Sequence, residues 1–392
     1  MHDKGWIAPS VGAATGTILG LSLGTVTADI EPWSISVDRS RDILGNSLAL
    51  VFTAMSIVLA LASVAAQGVA NRFGSRALRI YARRSADRWV IATFAMAAMF
   101  IVAAQFDMRR LDADSPAPSI PLSIGIVLIV VSAWSVMWYV ASIVRWFRVD
   151  RVAHGIAAVV RRAAADQVRA RRGGENVNRF PVRPESAVDL LAPATGHIAE
   201  VDADVLLEHC RTHGVSIIVS CPIGYPVVAG QPIGWVEQSS AGDGRLDRAL
   251  TANSIDVSDT REVAHTVEYG LTALTDIAIL ALSAGVNDPN SAGEVIEELT
   301  FLFHDLATLP LGPYALTSPG GERVVVRART FGELVEYATA QLVHYGMGDP
   351  FSREALRRFA ASLHRLDLDP DDRVRIDELV DAVGAAALFD DM

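Results

Sequence analysis

The stretch from Ile43 to Ala70 constrains this chain more than any other, because none of its residues carries a charged side chain. As an α-helix it would be about 42 Å long, which exceeds the ~30 Å hydrocarbon core of a lipid bilayer. A stretch of this length and composition predicts a membrane-spanning helix. The chain is therefore expected to be an integral membrane protein.

One face of this stretch forms a seam of small and polar residues with heptad spacing, whereas large apolar residues occupy its other faces. The polar members of the seam are Asn46, Thr53, Ser56, Ser63 and Gln67. In membrane helices such a face is typical of contact with another helix or with water. The seam therefore has two interpretations: it packs against other helices, or it lines a polar path.

Three further apolar segments bring the predicted number of transmembrane helices to four: Ile7–Ala28, Trp89–Phe106 and Ile120–Val144. Glycines lie four residues apart along the first of these segments, at Gly12, Gly16, Gly20 and Gly24. A face of small residues lets helix backbones approach closely in lipid. We interpret these glycines as a helix-packing face, with a sliding surface for gating as the alternative.

Arginines predict the orientation of the spans. The connector Asn71–Arg88 holds six arginines and more follow the fourth span, whereas the other two connectors are slightly acidic. By the positive-inside rule both termini are expected in the cytoplasm of a bacterium, with the spans in its plasma (inner) membrane. The arginines expected to contact anionic lipid headgroups are Arg72, Arg76, Arg79, Arg83, Arg145 and Arg148.

The charges divide between the two halves of the 392-residue chain. Residues 1–180 hold 20 basic and 12 acidic side chains, whereas residues 181–392 hold 14 and 33. Because the basic half coincides with the predicted spans, it favours anionic lipid rather than nucleic acid as the partner. The two cysteines fall in the acidic half, where a cytoplasmic location predicts free thiols.

The sequence predicts four regions. A four-span transmembrane domain covers residues 1–149, and a basic membrane-exit helix with a linker covers 150–184. A small β module is expected over 185–240, and a mainly helical domain over 241–392. The expected fold class is thus an integral membrane α-helical domain followed by a cytoplasmic α+β domain.

The β module is expected to be barrel-like. Residues 222–233 read PxGxxVxxGxPI, which resembles half of a lipoyl-like barrel. No lysine stands at the turn, so neither lipoyl nor biotin attachment is expected, and no other cofactor is predicted. Before this motif we expect a helix over Asp202–His213 and a strand over Val215–Ser220.

From Leu246 the pattern becomes helical and is interrupted by one predicted strand, Arg323–Arg329. Apolar periodicity predicts helices over Thr260–Ser283, Pro289–Leu309, Phe331–Tyr345, Ser352–Leu366 and Pro370–Leu388.

The densest local motif is TDIAILALSAGVNDPNSA, residues 275–292. Its polar and helix-ending residues are Asp276, Ser283, Gly285, Asn287, Asp288, Pro289 and Ser291. One interpretation is a helix–turn–helix corner, with Gly285 at the end of the first helix and Asp288 and Pro289 opening the second. The alternative is that Asp276, Asn287, Asp288 and Ser291 converge on a cation, a polar ligand or a neighbouring subunit.

This motif is similar to the "ALSPGINDPxTA" signature of a bacterial membrane-protein family, domain-of-unknown-function family twenty-two fifty-four. The run around Tyr269-Gly270-Leu271 and Asp276-Ile277-Ala278 resembles the family's "fGL…DIA" segment. The family's proline is Ala284 here and its threonine is Ser291. The resemblance implies architecture and location, but no activity.

Two functions remain open from the sequence. The leading one is an oligomeric, channel-like conduit with a cytoplasmic regulatory domain, in which the seam of the second span lines the path. The alternative is a non-conducting scaffold or sensor whose cytoplasmic domain binds a partner or a small ligand. An enzyme is less favoured, because catalytic signatures are absent from the sequence. His209 and His213 lack further ligands, so no metal site is predicted.

Overall fold

The computed structural model describes residues 11, 13–19, 35–81, 86–109, 111–112, 119–146, 148–171, 173–177, 179–238, 253–258 and 266–384. The chain divides into two compact units. The membrane unit comprises Met1–Asn71 and Ala82–Arg148, and the mixed unit comprises Arg72–Tyr81 and Val149–Met392.

Among the described residues, the membrane unit contains the long helices α2 (Ala86–Met108) and α3 (Ser119–Trp146) and most of α1 (Val37–Tyr81), whose last ten residues belong to the mixed unit. Within them, Val37–Gly68, Trp89–Met108 and Ile120–Ala141 are long and apolar enough to cross a membrane. The first predicted span lies largely outside the described residues, including Gly12, Gly20 and Gly24. Its residues 13–19 are helical. Three candidate spans are therefore present, and the fourth is not confirmed.

Helix α1 packs along one face with heptad spacing. Leu44, Val51 and Val58 are buried on this face. They share a core with buried residues of α2 and α3, which include Phe94, Phe100, Ile101, Leu122 and Tyr139. The membrane unit is thus held together by apolar packing, as expected where lipid surrounds the helices.

Gly16, in the first predicted span, lies close to the backbone of α2. A Cβ at Gly16 would stand 2.2 Å from the carbonyl oxygen of Met96. The glycine is buried. A small residue is therefore required at this position, whereas the packing face of all four glycines stays a prediction.

The polar seam of α1 faces away from this core. Asn46, Thr53 and Gln67 each follow a buried residue by two positions, which is about 200° around the helix. All five polar members of the seam are exposed in the single chain. The hydroxyl of Thr53 donates to Ala49 O at 2.8 Å and that of Ser56 to Phe52 O at 2.9 Å. Among the described residues, packing between helices of the same chain leaves the seam exposed.

Helix α1 continues past the predicted span to Tyr81, so the loop expected over Asn71–Arg88 is wrong for its first part. Gly74 breaks the helix with φ 80° and ψ 164°. Residues 72–81, which include this break, belong to the mixed unit. Of the arginines expected at lipid headgroups, Arg76 and Arg148 have described side chains; those of Arg72, Arg79, Arg83 and Arg145 lie outside the described part.

The mixed unit contains helices and short strands in alternation. Its helices are α4 (Val149–Ala170), α5 (Ala203–His213), α6 (Val267–Ala281), α7 (Pro289–Leu306), α8 (Phe331–Gly346), α9 (Pro350–His364) and α10 (Pro370–Val383). Its strands are β1 (Glu175–Asn176), β2 (Val188–Leu191), β3 (Gly196–Val201), β4 (Val215–Val219), β5 (Pro226–Val227), β6 (Pro232–Gln238), β7 (Ile255–Ser258), β8 (Tyr314–Thr317) and β9 (Arg323–Val326).

The strands form two open sheets, of order β1-β8-β9-β4-β6-β2 and β5-β3-β7. Among the described residues no sheet closes into a barrel, so the barrel-like module is not confirmed. The reason lies in β4, which pairs with β6 on one side and with the distant β9, in parallel, on the other. Strands from residues 185–240 and from the C-terminal part thus share one sheet.

Most predicted elements of the mixed unit are confirmed, with shifted ends. Asp202 caps α5 by accepting from the amides of Asp204 and Val205, both at 3.1 Å. The predicted helix over Thr260–Ser283 begins only at Val267, and residues 259–265 lie outside the described part. The predicted end of the last helix, Leu388, also lies there.

Helix α6 is the central helix of the mixed unit. Most of its residues are buried, including Leu271, Leu274 and Ile277. It packs against α4, α7 and α8. A Cβ at Gly270 would lie 2.2 Å from Cγ2 of Val160 in α4, so only glycine permits this approach without repacking.

Helix α4 is the basic exit helix predicted over residues 150–172. Its apolar stripe, which includes Val152, Ile156 and Val160, is buried within the mixed unit. Arg161 pairs with Glu298 at 3.2 Å and with Asp305 at 2.5 Å on α7. The apolar face of this helix is therefore covered by its neighbours in the mixed unit.

Candidate functional site

The mixed unit contains a cavity of about 850 Å³. Its walls come from α4, from β3 and β7, from the start of α5 and α6, and from the segment that joins β9 to α8. Pockets of about 300–1,000 Å³ are the size that binds small organic ligands. Apolar side chains and charged side chains of both signs line it, so its chemistry depends on which charges are already paired.

Arg171 lies at the end of α4 and is the most buried charge of the cavity wall, with 5% of its surface exposed. Its guanidinium donates to Asn176 Oδ1 at 2.8 Å, to Gly312 O at 2.9 Å and to Pro310 O. It also stacks over the ring of Tyr314, 5.0 Å from the ring centroid. Burial lowers the pKa of Arg171, and burial also raises the pKa of Tyr314. In the described part of the chain, Arg171 has neutral hydrogen-bond partners and no carboxylate.

Two other arginines of the wall are held by acids. Arg329 lies 3.6 Å from Glu268 and 4.7 Å from the ring centroid of Tyr337. Arg327 pairs with Glu333, which belongs to the capping box of α8. Both arginines are therefore already paired with acids of the fold. Arg162 on α4 is exposed, and its guanidinium has no acidic partner within the residues that the structure describes.

A second wall of the cavity is acidic. Glu200 on β3 and Asp256 on β7 stand directly opposite each other in the antiparallel pairing, and both are exposed. Like charges at directly opposed positions destabilise a sheet. Asp202 follows β3 and is engaged as the cap of α5. The pair Glu200–Asp256 is therefore a local surplus of negative charge facing the cavity.

The described residues contain no cluster of three or more His, Cys, Asp or Glu side chains placed to hold a metal ion. The rings of His209 and His213 stack 4.0 Å apart, and His213 Nδ1 lies 3.1 Å from the carbonyl oxygen of His209. Both cysteines are free. Burial raises the pKa of the Cys210 thiol to about 12, which keeps it protonated and unreactive.

The signature motif forms a capped corner between α6 and α7. Asp288 caps α7, because its carboxylate accepts from Ser291 N at 3.2 Å and Ser291 Oγ at 2.6 Å, and Pro289 occupies the first turn. The predicted role of Gly285 at the helix end is wrong: Asn287 adopts the left-handed conformation instead, with φ 47°. Asparagine tolerates this conformation, so it replaces glycine in the turn.

Asp276 of the signature binds Arg76, which lies just beyond the Gly74 break of α1. Both side chains are about one-third exposed. The first turn of the same helix lines the cavity through Thr266, Val267 and Glu268. Helix α6 therefore reaches from the cavity to the segment that continues the membrane helix. The expected convergence of Asp276 with Asn287 and Asp288 stays a prediction.

The sequence did not single out the residues that form this link. Arg76 was interpreted as a lipid-facing arginine and Arg171 as part of a basic helix surface. Their partners lie far away in the chain, with 200 residues between Arg76 and Asp276 and 141 between Arg171 and Gly312. The one local signal was Asp276 itself, an acid early in an otherwise apolar helix.

The apolar helices and the mixed unit together define a membrane protein with several apolar helices and a large helical and sheet region outside them. The chain belongs to the predicted membrane protein family DUF2254, whose model matches residues 2–362. Uncharacterized proteins of Mycobacterium tuberculosis (strain CDC 1551 / Oshkosh) and Mycobacterium bovis (strain ATCC BAA-935 / AF2122/97) are each 23% identical over 410 residues. Each alignment covers 97% of this chain and 76% of the relative. No solved structure matches the chain.

Proposed function

We propose that this protein is a membrane sensor, in which the mixed unit binds a small polar molecule in its cavity. The observation that carries the proposal is the double role of α6. Its first turn lines the cavity, and Asp276, further along the helix, pairs with Arg76 in the last part of α1, beyond Gly74. A ligand that shifts the first turn of α6 would therefore act on residues 75–81.

The Gly74 break permits this transmission. A short segment separated from its helix by a left-handed residue can change direction without bending the helix itself. The Arg76–Asp276 pair is partly exposed, so it contributes at most about 1 kcal/mol to stability. A contact of this strength holds the segment in place and still lets binding energy release it.

The test uses the full-length protein in nanodiscs and a panel of amino acids, short peptides, polyamines, dicarboxylates and nucleotides. We expect at least one compound to raise the melting temperature and to change hydrogen exchange of residues 75–81. Asp276→Asn should abolish the exchange response but not the binding. Glu354→Gln, which breaks an exposed ion pair within α9, is the matched control. The proposal fails if no compound binds, or if the response persists in Asp276→Asn.

A second candidate function is an oligomeric, channel-like conduit, and the exposed seam of α1 favours it. Asn46 and Gln67 are 21 residues apart, or about 31 Å along the helix, which equals the thickness of the hydrocarbon core. The seam thus extends across the whole core and faces outward, where a second copy could cover it. Polar, uncharged linings are one way to build a pore.

Flux through liposomes tests the conduit. The double variant Asn46→Leu/Gln67→Leu should alter the flux, whereas Leu59→Ile, on another exposed face of the same helix, should not. Absence of flux from a wild-type protein that has been shown to be folded would exclude this second function.

The proposed orientation has four spans, both termini in the cytoplasm and the location in the bacterial plasma membrane. It rests on the positive-inside pattern of the connectors and on the helical residues 13–19. Reporter fusions that are active on one side of the membrane test it. A reporter at residue 30 should lie outside, and one at residue 392 should lie inside. Termini on opposite sides would contradict four spans.

A further inference from the structure

The cavity of the mixed unit separates its uncommitted charges onto two walls. Charges already engaged in the fold do not select a ligand, because their partners are fixed. Arg327 and Arg329 have acidic partners, and Asp202 caps a helix. The other acids of the wall are also engaged: Asp166 pairs with Arg169 at 2.5 Å, Glu268 pairs with Arg329, and Asp204 has a partner. What remains is a basic pair on and after α4, Arg162 and Arg171, and an acidic pair on β3 and β7, Glu200 and Asp256.

The acidic pair favours a cationic group on the ligand. Glu200 and Asp256 occupy opposed positions of two antiparallel strands, and an ammonium group between them would relieve their repulsion. A metal ion fits less well, because no cluster of three metal-binding side chains is present in the described residues. An amine can hydrogen-bond two carboxylates without the tight geometry that a metal ion requires.

The basic pair favours an anionic group at the other wall. Arg171 is a buried cation whose hydrogen-bond partners are carbonyl and amide oxygens. A buried charge without an opposite charge is costly, and an anion nearby offsets that cost. Arg162 is exposed in the same wall and can donate to a carboxylate in a bidentate manner.

We infer that the ligand is a zwitterion of short-peptide size, whose ammonium group lies at Glu200 and Asp256 and whose carboxylate lies at Arg162, with Arg171 adding positive potential farther along the same wall. This inference rests on the proposed sensor function and names its ligand class. The cavity volume of about 850 Å³ suits a molecule larger than a single amino acid. Apolar side chains of the wall, among them Leu311, Leu316 and Leu334, contact its uncharged body.

The test uses three matched probes on the full-length protein: Ala-Leu-Ala with free termini, its N-acetylated form and its C-terminal amide. Calorimetry measures the dissociation constants. We expect the free peptide to bind, and each capped form to bind about tenfold more weakly, because each has lost one charge-assisted contact.

Two variants test which wall of the cavity binds which charged end of the peptide. Glu200→Gln should weaken the free peptide but leave the N-acetylated form unchanged, since that form has no ammonium group to lose. Arg162→Gln should weaken the free peptide but not the amide. Arg211→Gln on α5, outside the cavity wall and exposed, is the control and should change nothing.

The outcomes separate this inference from the sensor function. If the capped peptides bind as tightly as the free one, or if no peptide binds, the zwitterion assignment is wrong. If a dicarboxylate or a polyamine from the panel then binds and alters residues 75–81, the sensor function stands with another ligand class. If nothing in the panel binds, both are overturned.

Discussion

The two units of this protein place their polar side chains in opposite directions. In the membrane unit, the polar seam of α1 points outward and the core is apolar. In the mixed unit, charged side chains converge on an internal cavity, although the unit also has apolar clusters. Each arrangement is the unusual one for its surroundings. Polar groups facing lipid and charges facing a cavity both require a partner, and these partners define the two proposed functions.

The hydroxyls of the seam show how the outward arrangement is tolerated. Thr53 and Ser56 bond to carbonyls of their own helix, so they expose little unsatisfied polarity. The cavity has no such local solution, since its uncommitted charges come from separate elements. The comparison teaches that the seam tolerates lipid or a partner, whereas the uncommitted charges of the cavity have no partner on their own element.

The largest expected loss of stability follows from substituting a glycine that lies against the backbone of a neighbouring element, and each unit contains such a glycine. A Cβ at Gly234 would lie 2.0 Å from Ile218 O, and one at Gly16 would lie 2.2 Å from Met96 O. Gly234→Ala should cost roughly 3 kcal/mol, or about 6–12 °C in melting temperature, because two paired strands must separate. Gly16→Ala should cost less, since a membrane helix can shift in lipid. Thermal unfolding in detergent measures both.

Gly285→Ala is the control for these two variants, because nothing lies within 4 Å of a Cβ there. It should change stability by no more than about 0.5 kcal/mol. Equal losses for Gly16→Ala and Gly234→Ala would show that the membrane unit is as rigid as the sheet.

A smaller loss of stability is expected when a hydrogen-bonding side chain is removed. Asp372 is buried in the mixed unit and accepts from Thr330 Oγ1 at 2.6 Å and from Gly332 N at 2.8 Å. Asp372→Ala should cost about 2 kcal/mol, because two donors lose their acceptor. Thr53→Val in the seam should stay within about 0.5 kcal/mol, because its hydroxyl bonds only to its own helix. A large loss in Thr53→Val would mean that the seam is buried by a partner.

The effect that is smallest near neutral pH is a pH dependence in the mixed unit, because it develops only above about pH 8.5. Burial raises the pKa of Cys210 to about 12 in the folded protein, whereas an unfolded thiol has a pKa of about 8.5. The folded state thus retains a proton that the unfolded state loses, so this stabilisation is complete below pH 8.5 and is lost as the pH rises towards 12. Melting temperature should fall more steeply above pH 9 in wild type than in Cys210→Ala. Parallel curves would contradict the buried thiol.

Local chemistry allowed many helices to be predicted from the sequence. Asp202 and Asp288 were identified as helix starts from the sequence, because a cap bonds to amides two or three residues away. The exchange of Gly285 for Asn287 in the turn was not predictable, since both residue types adopt the left-handed conformation.

The cavity and the sheet were not predictable for a different reason. The register of β4 against β9 and the bonds of Arg171 to residues 310–312 join segments that are distant in sequence. Periodicity describes one segment at a time, so it could not place these residues together. The PxGxxVxxGxPI pattern identified strands but not their neighbours, and the barrel was inferred from half of a sheet.

The parallel pairing of β4 with β9 also sets an order of events during synthesis. Ile217 pairs with Val324, so β4 leaves the ribosome about 100 residues before its neighbour. At roughly 5–20 residues per second this wait lasts on the order of 5–20 seconds. During it the apolar edge of β4 is unprotected while the membrane helices are already made. Chaperone demand is therefore expected to peak in this interval of translation, and a stalled chain that ends before Arg323 would be prone to aggregate at the membrane surface.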